Sequence, residues 1–78
     1  MKSKRANSLR YTVVIEKADG NFSAYVPDLP GCVATGRTRA IVLRRIAQAI
    51  HMHVQGLKED GLPVPKPAAT AEYVETAA

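Results

Sequence analysis

Two runs of apolar residues at strand spacing open the ordered part of the chain. Tyr11-Thr12-Val13-Val14-Ile15-Glu16-Lys17 is rich in β-branched and aromatic residues, which suit a pleated, half-buried surface. Phe22-Ser23-Ala24-Tyr25-Val26 follows after Asp19-Gly20, a dipeptide that favours the two-residue hairpin turn. That turn fixes a register. Ile15 falls opposite Ala24, Val13 opposite Val26 and Lys17 opposite Phe22, on one face with Tyr11. Thr12, Val14, Glu16, Ser23 and Tyr25 take the other face, with Val14 opposite Tyr25. The first face is the more apolar, so it is expected to meet the core.

Pro27-Asp28-Leu29-Pro30-Gly31 ends the second run. Proline cannot donate to a ladder, and each one pushes the preceding residue to an extended conformation. Pro30-Gly31 suits the centre of a type II turn. Cys32-Val33-Ala34-Thr35 reads as a short third strand ended by Gly36. Thr38 is then an N-cap for a helix running to about Lys58. Val42, Leu43, Ile46, Ala49, Ile50, His53, Val54 and Leu57 form its apolar stripe, opposite Arg44, Arg45, Gln48, His51 and Gln55. Gly61 closes the helix. Leu62-Pro63-Val64-Pro65-Lys66-Pro67 is a stiff connector, and Ala71 to Thr76 is expected to form a last strand. The fold class is therefore α+β in the order β-β-β-α-β, with one helix covering one sheet face. Residues 9–78 make a single domain, preceded by a basic tail, residues 1–8, expected to be disordered.

Charge changes the picture little. The 78 residues carry a formal +4, with Lys2, Lys4, Arg5 and Arg10 near the start and Arg37, Arg39, Arg44 and Arg45 near the helix. Lys2, Lys4, Arg5, Arg37, Arg39, Arg44 and Arg45 suggest, as an alternative function, a solitary nucleic-acid-binding or oligomerisation module, or else a solvated surface. A domain this small buries a thin core, so a homo-oligomer is expected. No apolar run long enough for a membrane span occurs, and no apolar segment follows the basic start, so the expected location is the cytoplasm.

Few residues suggest chemistry. His51 and His53 lie two apart on a helix and point in divergent directions, so they do not share a metal; His53 belongs to the core side and His51 to the surface. Glu16, Asp19 and Asp28 are spread over two ends of the hairpin and do not suggest a metal-binding carboxylate cluster. Cys32 reads as a small buried hydrophobe. No cofactor, metal or enzymatic activity is expected. Asp28, between two prolines, reads either as a contact to a partner's cation or hydroxyl or as a turn residue bonding local N–H groups. Val14 and Tyr25 form a candidate patch on the open sheet face. Ile41 and Met52 are apolar residues off the main stripe.

Tyr11 to Ile15, the run Ala24-Tyr25-Val26-Pro27-Asp28-Leu29-Pro30-Gly31-Cys32, the helix positions Thr38, Leu43, Ile46, Ala49, Ile50 and His53, Gly56-Leu57, Glu59-Asp60-Gly61 and the three prolines together resemble the HicB family of bacterial antitoxins. The resemblance spans residues 9–76 and implies a partly degraded ribonuclease-H-like fold. It implies a protein partner, a HicA-type mRNA-cleaving toxin, bound and inhibited without catalysis. Many members carry a DNA-binding domain as well; these 78 residues match only the first part, so a short form is expected. The family's helix usually presents glutamates, whereas here Arg39, Ala40, Ile41, Arg44, Arg45 and His51 stand there. A basic toxin would be repelled by that face. The expected contact therefore moves to Val14, Tyr25, Pro27, Asp28, Leu29, Pro30 and Gly31.

Overall fold

The computed structural model describes residues 8–78. The basic residues Lys2, Lys4 and Arg5, and the expected disorder of most of the tail, lie outside the described residues. Three strands, β1 (Val14–Ala18), β2 (Asn21–Tyr25) and β3 (Val33–Gly36), precede one helix, α1 (Arg39–Glu59). The strands form an antiparallel sheet in the order β1-β2-β3. The hairpin takes the expected register, with Val14 opposite Tyr25, Ile15 opposite Ala24 and Lys17 opposite Phe22. Gly20 turns the chain at φ 67°.

β1 starts three residues later than its composition suggests. Val26 has no strand partner in β1 because its groups serve the loop: its N–H donates to Cys32 O at 3.2 Å and its carbonyl accepts from Leu29 N at 3.0 Å. The ladder therefore stops at Val14–Tyr25. The loop is two linked turns, the second closed by Cys32 N to Leu29 O at 3.0 Å around Pro30-Gly31. Gly31 sits at φ 85°, where a Cβ is strained, as a type II turn requires.

α1 begins where its cap predicts. The Thr38 hydroxyl accepts from Ile41 N at 3.1 Å. It ends on a paired bond pattern, Leu62 N to Leu57 O at 2.8 Å and Gly61 N to Lys58 O at 3.1 Å, with Gly61 in the left-handed region. The helix lies over β3 and β2. It comes so close that a Cβ on Gly36 would stand 2.9 Å from Ile41 Cγ2 and from the Val42 amide nitrogen.

Ala24, Val26, Leu29, Cys32, Val42 and Ile46 form the buried core, with Tyr11, Val13, Ile15, Phe22, Ala34, Ala49, Ile50 and Val54 packed around it. Leu29, Val42 and Ile46 are almost wholly excluded from water. Each contributes about 1.5–3 kcal/mol. Leu43, expected on the stripe, is instead 42% exposed. It lies about 100° round the helix from Val42, beyond the arc that the narrow sheet covers.

The expected fourth strand does not form. Residues 71–78 are all exposed and lie in no ladder. The chain does return to the sheet, but as a strap fastened by side chains. Pro63, Pro65 and Pro67 have no N–H to give a ladder.

Candidate protein-binding site

The helix covers one sheet face, and the opposite face is open. Alternation along β2 and β3 sends Ala24, Val26, Cys32 and Ala34 inward, and Tyr25 and Val33 outward. Tyr25 pairs with Val14 on one side and Val33 on the other. The three side chains form one apolar row across the whole sheet. Tyr25 is 41% exposed and Val33 is 64% exposed. Glu16, Ser23 and Thr35 form the polar row beside it.

Val33 was absent from the expected contact residues. Its signal is in the sequence: once Cys32 points inward at the start of β3, Val33 points out. Leu29 needs the opposite correction. It was expected at the contact, but its side chain is fully buried against Val42 and Ile46 in the core cluster. The two turns that flank it fold it under the loop, so it supports the loop from beneath. Pro27, Pro30 and Gly31 remain on the surface at that end of the sheet.

Asp28 is occupied within the chain. Its Oδ2 accepts from Ala68 N at 2.8 Å and Ala69 N at 2.9 Å. These two N–H groups hold its carboxyl below the usual carboxylate range. Thr12 Oγ1 donates to Ala69 O at 2.6 Å, and the Tyr11 hydroxyl donates to Pro65 O at 2.5 Å. Burial, and then the charge of Asp28, push the Tyr11 hydroxyl above its ordinary value. Asp28 therefore bonds backbone N–H groups, though of a distant segment and not of its own turn. No local pattern marks Ala68 and Ala69 as its partners, because the bond depends on how the connector runs.

Arg39, Arg44 and Arg45 have different surroundings. Arg45 donates to Thr35 O at 3.0 Å on the outer side of β3. Arg39 lines a hollow of about 270 Å³ with Val13, Val14, Ile15, Ala71, Glu72 and Tyr73. Arg44 faces outward beside Ala47, Gln48, His51 and Met52. Among the described residues no three His, Cys, Asp or Glu side chains come together to hold a metal ion. His51 is exposed and His53 half-buried, as their helix positions imply. Cys32 is buried, and burial pushes its thiol upward. No helix among the described residues is long and apolar enough to cross a membrane.

A three-stranded antiparallel sheet with one helix on one face and an apolar row on the other defines a small α+β domain with one open face. Residues 11–78 match the family described as HicB_like antitoxin of bacterial toxin-antitoxin system, and the chain belongs to that family. A UPF0150 protein of Thermoplasma acidophilum is 37% identical over 59 residues, which cover 74% of this chain and 86% of that protein. A UPF0150 protein of Synechocystis sp. is 39% identical over 57 residues, 72% of each. A 14.9 kDa protein of the rep-hol intergenic region of Haemophilus phage HP1 is 33% identical over 64 residues; the match covers 82% of this chain and 48% of that relative's length. Among solved structures, the HicA3 and HicB3 toxin-antitoxin complex contains a similar chain. It is 32% identical at a TM-score of 0.66, covering 77% of this chain and 70% of that one.

Proposed function

We propose that this chain is an antitoxin-type binding module that neutralises a HicA-type mRNA-cleaving toxin by masking its active surface, and that it performs no chemistry of its own. The observation that carries this reading is the row formed by half-buried Val14 and exposed Tyr25 and Val33 on the face the helix leaves free. A flat apolar strip rimmed by Glu16, Ser23 and Thr35 has the anatomy of a protein contact: an aromatic anchor at the centre and polar groups at the edge. Pro27, Pro30 and Gly31 extend the strip with a stiff loop. Family membership and the likeness to a chain of a toxin-antitoxin complex support a toxin partner.

Binding rather than catalysis also fits the arrangement of acids. Glu16 lies in β1, Asp19 in the hairpin turn, and Asp28 is committed to the strap. The test is co-expression with the toxin of a neighbouring reading frame, followed by pull-down and a growth-rescue assay. Tyr25→Ala and Val33→Lys should lose toxin binding and rescue while the circular-dichroism spectrum and melting temperature stay those of the parent. Retention of full binding by both variants would remove this face from the proposal.

A further inference from the structure

We infer that the outer edge of β3 is a pairing edge whose occupant is residues 71–76 of a second copy of this chain. The hydrogen-bond pattern defines the edge. Val26 N donates to Cys32 O, and the register runs Ala24 opposite Ala34 and Phe22 opposite Gly36. In an antiparallel pair such bonded positions alternate with positions whose backbone groups point away. Val33 and Thr35 therefore turn their N–H and C=O groups outward, away from β2. Strands with such rows recruit other strands unless something blunts them. β3 has no proline, no charged side chain and no bulge. Among the described residues, Arg45 donates to this edge, its guanidinium taking the Thr35 carbonyl.

The same molecule offers a segment without a ladder. Ala71-Glu72-Tyr73-Val74-Glu75-Thr76 carries strand-forming residues, yet Tyr73 and Val74 stand fully or almost fully in solvent at 105% and 86% exposure. Among the described backbone bonds outside the helix and sheet, none involves these residues. In its own copy the segment lies beside β1, in the hollow with Val13 to Ile15, on the far side of the sheet from β3.

Charge decides between two ways of filling the edge with a second copy. Residues 32–45 hold Arg37, Arg39, Arg44 and Arg45 and no acid, while residues 71–78 hold Glu72 and Glu75 and no base. Pairing β3 with the β3 of another copy brings Arg45 towards Arg45. Pairing β3 with residues 71–76 brings carboxylates to the arginine that guards the edge, and frees the Thr35 carbonyl for the ladder. In its own copy the segment lies beside β1, so its contact with β3 forms only between copies.

The experiment uses the full chain. Light scattering over a micromolar to millimolar series should show association, with the Val33 and Thr35 amides gaining exchange protection as concentration rises. Adjacent N–H groups point to opposite sides of a strand, so the double variant Tyr73→Pro/Val74→Pro removes a ladder donor whichever side faces the edge. The segment makes no backbone bond in the monomer, so the variant should be monomeric with an unchanged melting temperature. Arg45→Glu should weaken association several-fold, and adding Glu72→Lys/Glu75→Lys should restore it. A parent chain that stays monomeric throughout overturns the inference, as does association that survives the double proline variant. Exchange protection appearing on Val13 and Ile15 in a monomer overturns it too, since the segment would then pair with its own β1. None of these outcomes depends on toxin binding.

Discussion

The Ala69 amide donates to the Asp28 carboxylate at 2.9 Å across 41 residues of chain. With the Ala68 amide on the same oxygen, this bond ties the proline-rich connector to the loop at the end of β2. Together with the Tyr11 and Thr12 hydroxyls on Pro65 O and Ala69 O, it sets where the last nine residues start their course.

That tie should depend on pH, in a direction set by linkage. The folded pKa of Asp28 lies below its ordinary value, so the unfolded carboxylate binds a proton more readily. The contribution is therefore complete above the unfolded value, near 3.9. It is lost as pH falls through the lower folded value. Amide exchange at Ala68 and Ala69 should show protection at about pH 7 and pH 5 relative to unstructured peptide rates, and should lose it only as pH falls through the lowered folded value. Asp28→Ala should give unprotected amides at every pH with the sheet and helix intact. Tyr11 sets the alkaline limit: its raised pKa means that the fold favours the neutral phenol, so stability should fall as pH rises above about 10.

The two corrected contact residues predict opposite phenotypes. Leu29→Ala empties a fully buried site and should cost about 2–5 kcal/mol, a large part of the stability of so small a domain. Urea unfolding would measure it. Val33→Lys changes a residue exposed on the open face and should alter stability by no more than about 0.5 kcal/mol, while abolishing partner capture.

Two glycines should respond differently to the same change. Gly36→Ala puts a methyl against Ile41 and the backbone of Val42, so α1 must move off β3, at a cost of about 1–3 kcal/mol. Gly56→Ala, inside α1 with nothing within 4 Å of the new atom, should stabilise by about 0.5–1 kcal/mol. Thermal melts of the pair in one buffer suffice.

Cys32 should behave as a core atom. Its thiol is buried and pushed away from the thiolate form. Reaction with a neutral-pH disulfide reagent should therefore be slow in buffer and rapid in denaturant. Rapid labelling of the native chain would show that the loop above it opens.

The hairpin, its register, the turn at Pro30-Gly31 and both ends of the helix were legible in the sequence. Each depends on residues only a few positions apart: Asp19-Gly20 sets which strand residues face each other, Thr38 caps the backbone it adjoins, and Gly61 closes the turn before it. Short-range geometry leaves these elements little choice. The open face was legible too, through Val14 and Tyr25, because alternation is local.

What lay outside the local pattern was decided by the way elements meet. Leu29 looks like a loop residue until two turns fold it beneath the prolines and onto Val42. Leu43 looks like a core residue until a three-strand sheet proves too narrow to cover its side of the helix. Residues 71–76 have strand composition, yet a strand exists only where a partner supplies hydrogen bonds, and the strap brings them beside β1 without a ladder. Asp28 found its partners forty residues away because a rigid connector of fixed length ended beside it. Composition and spacing determined the elements; the packing of those elements determined which side chains were left facing solvent to meet another molecule.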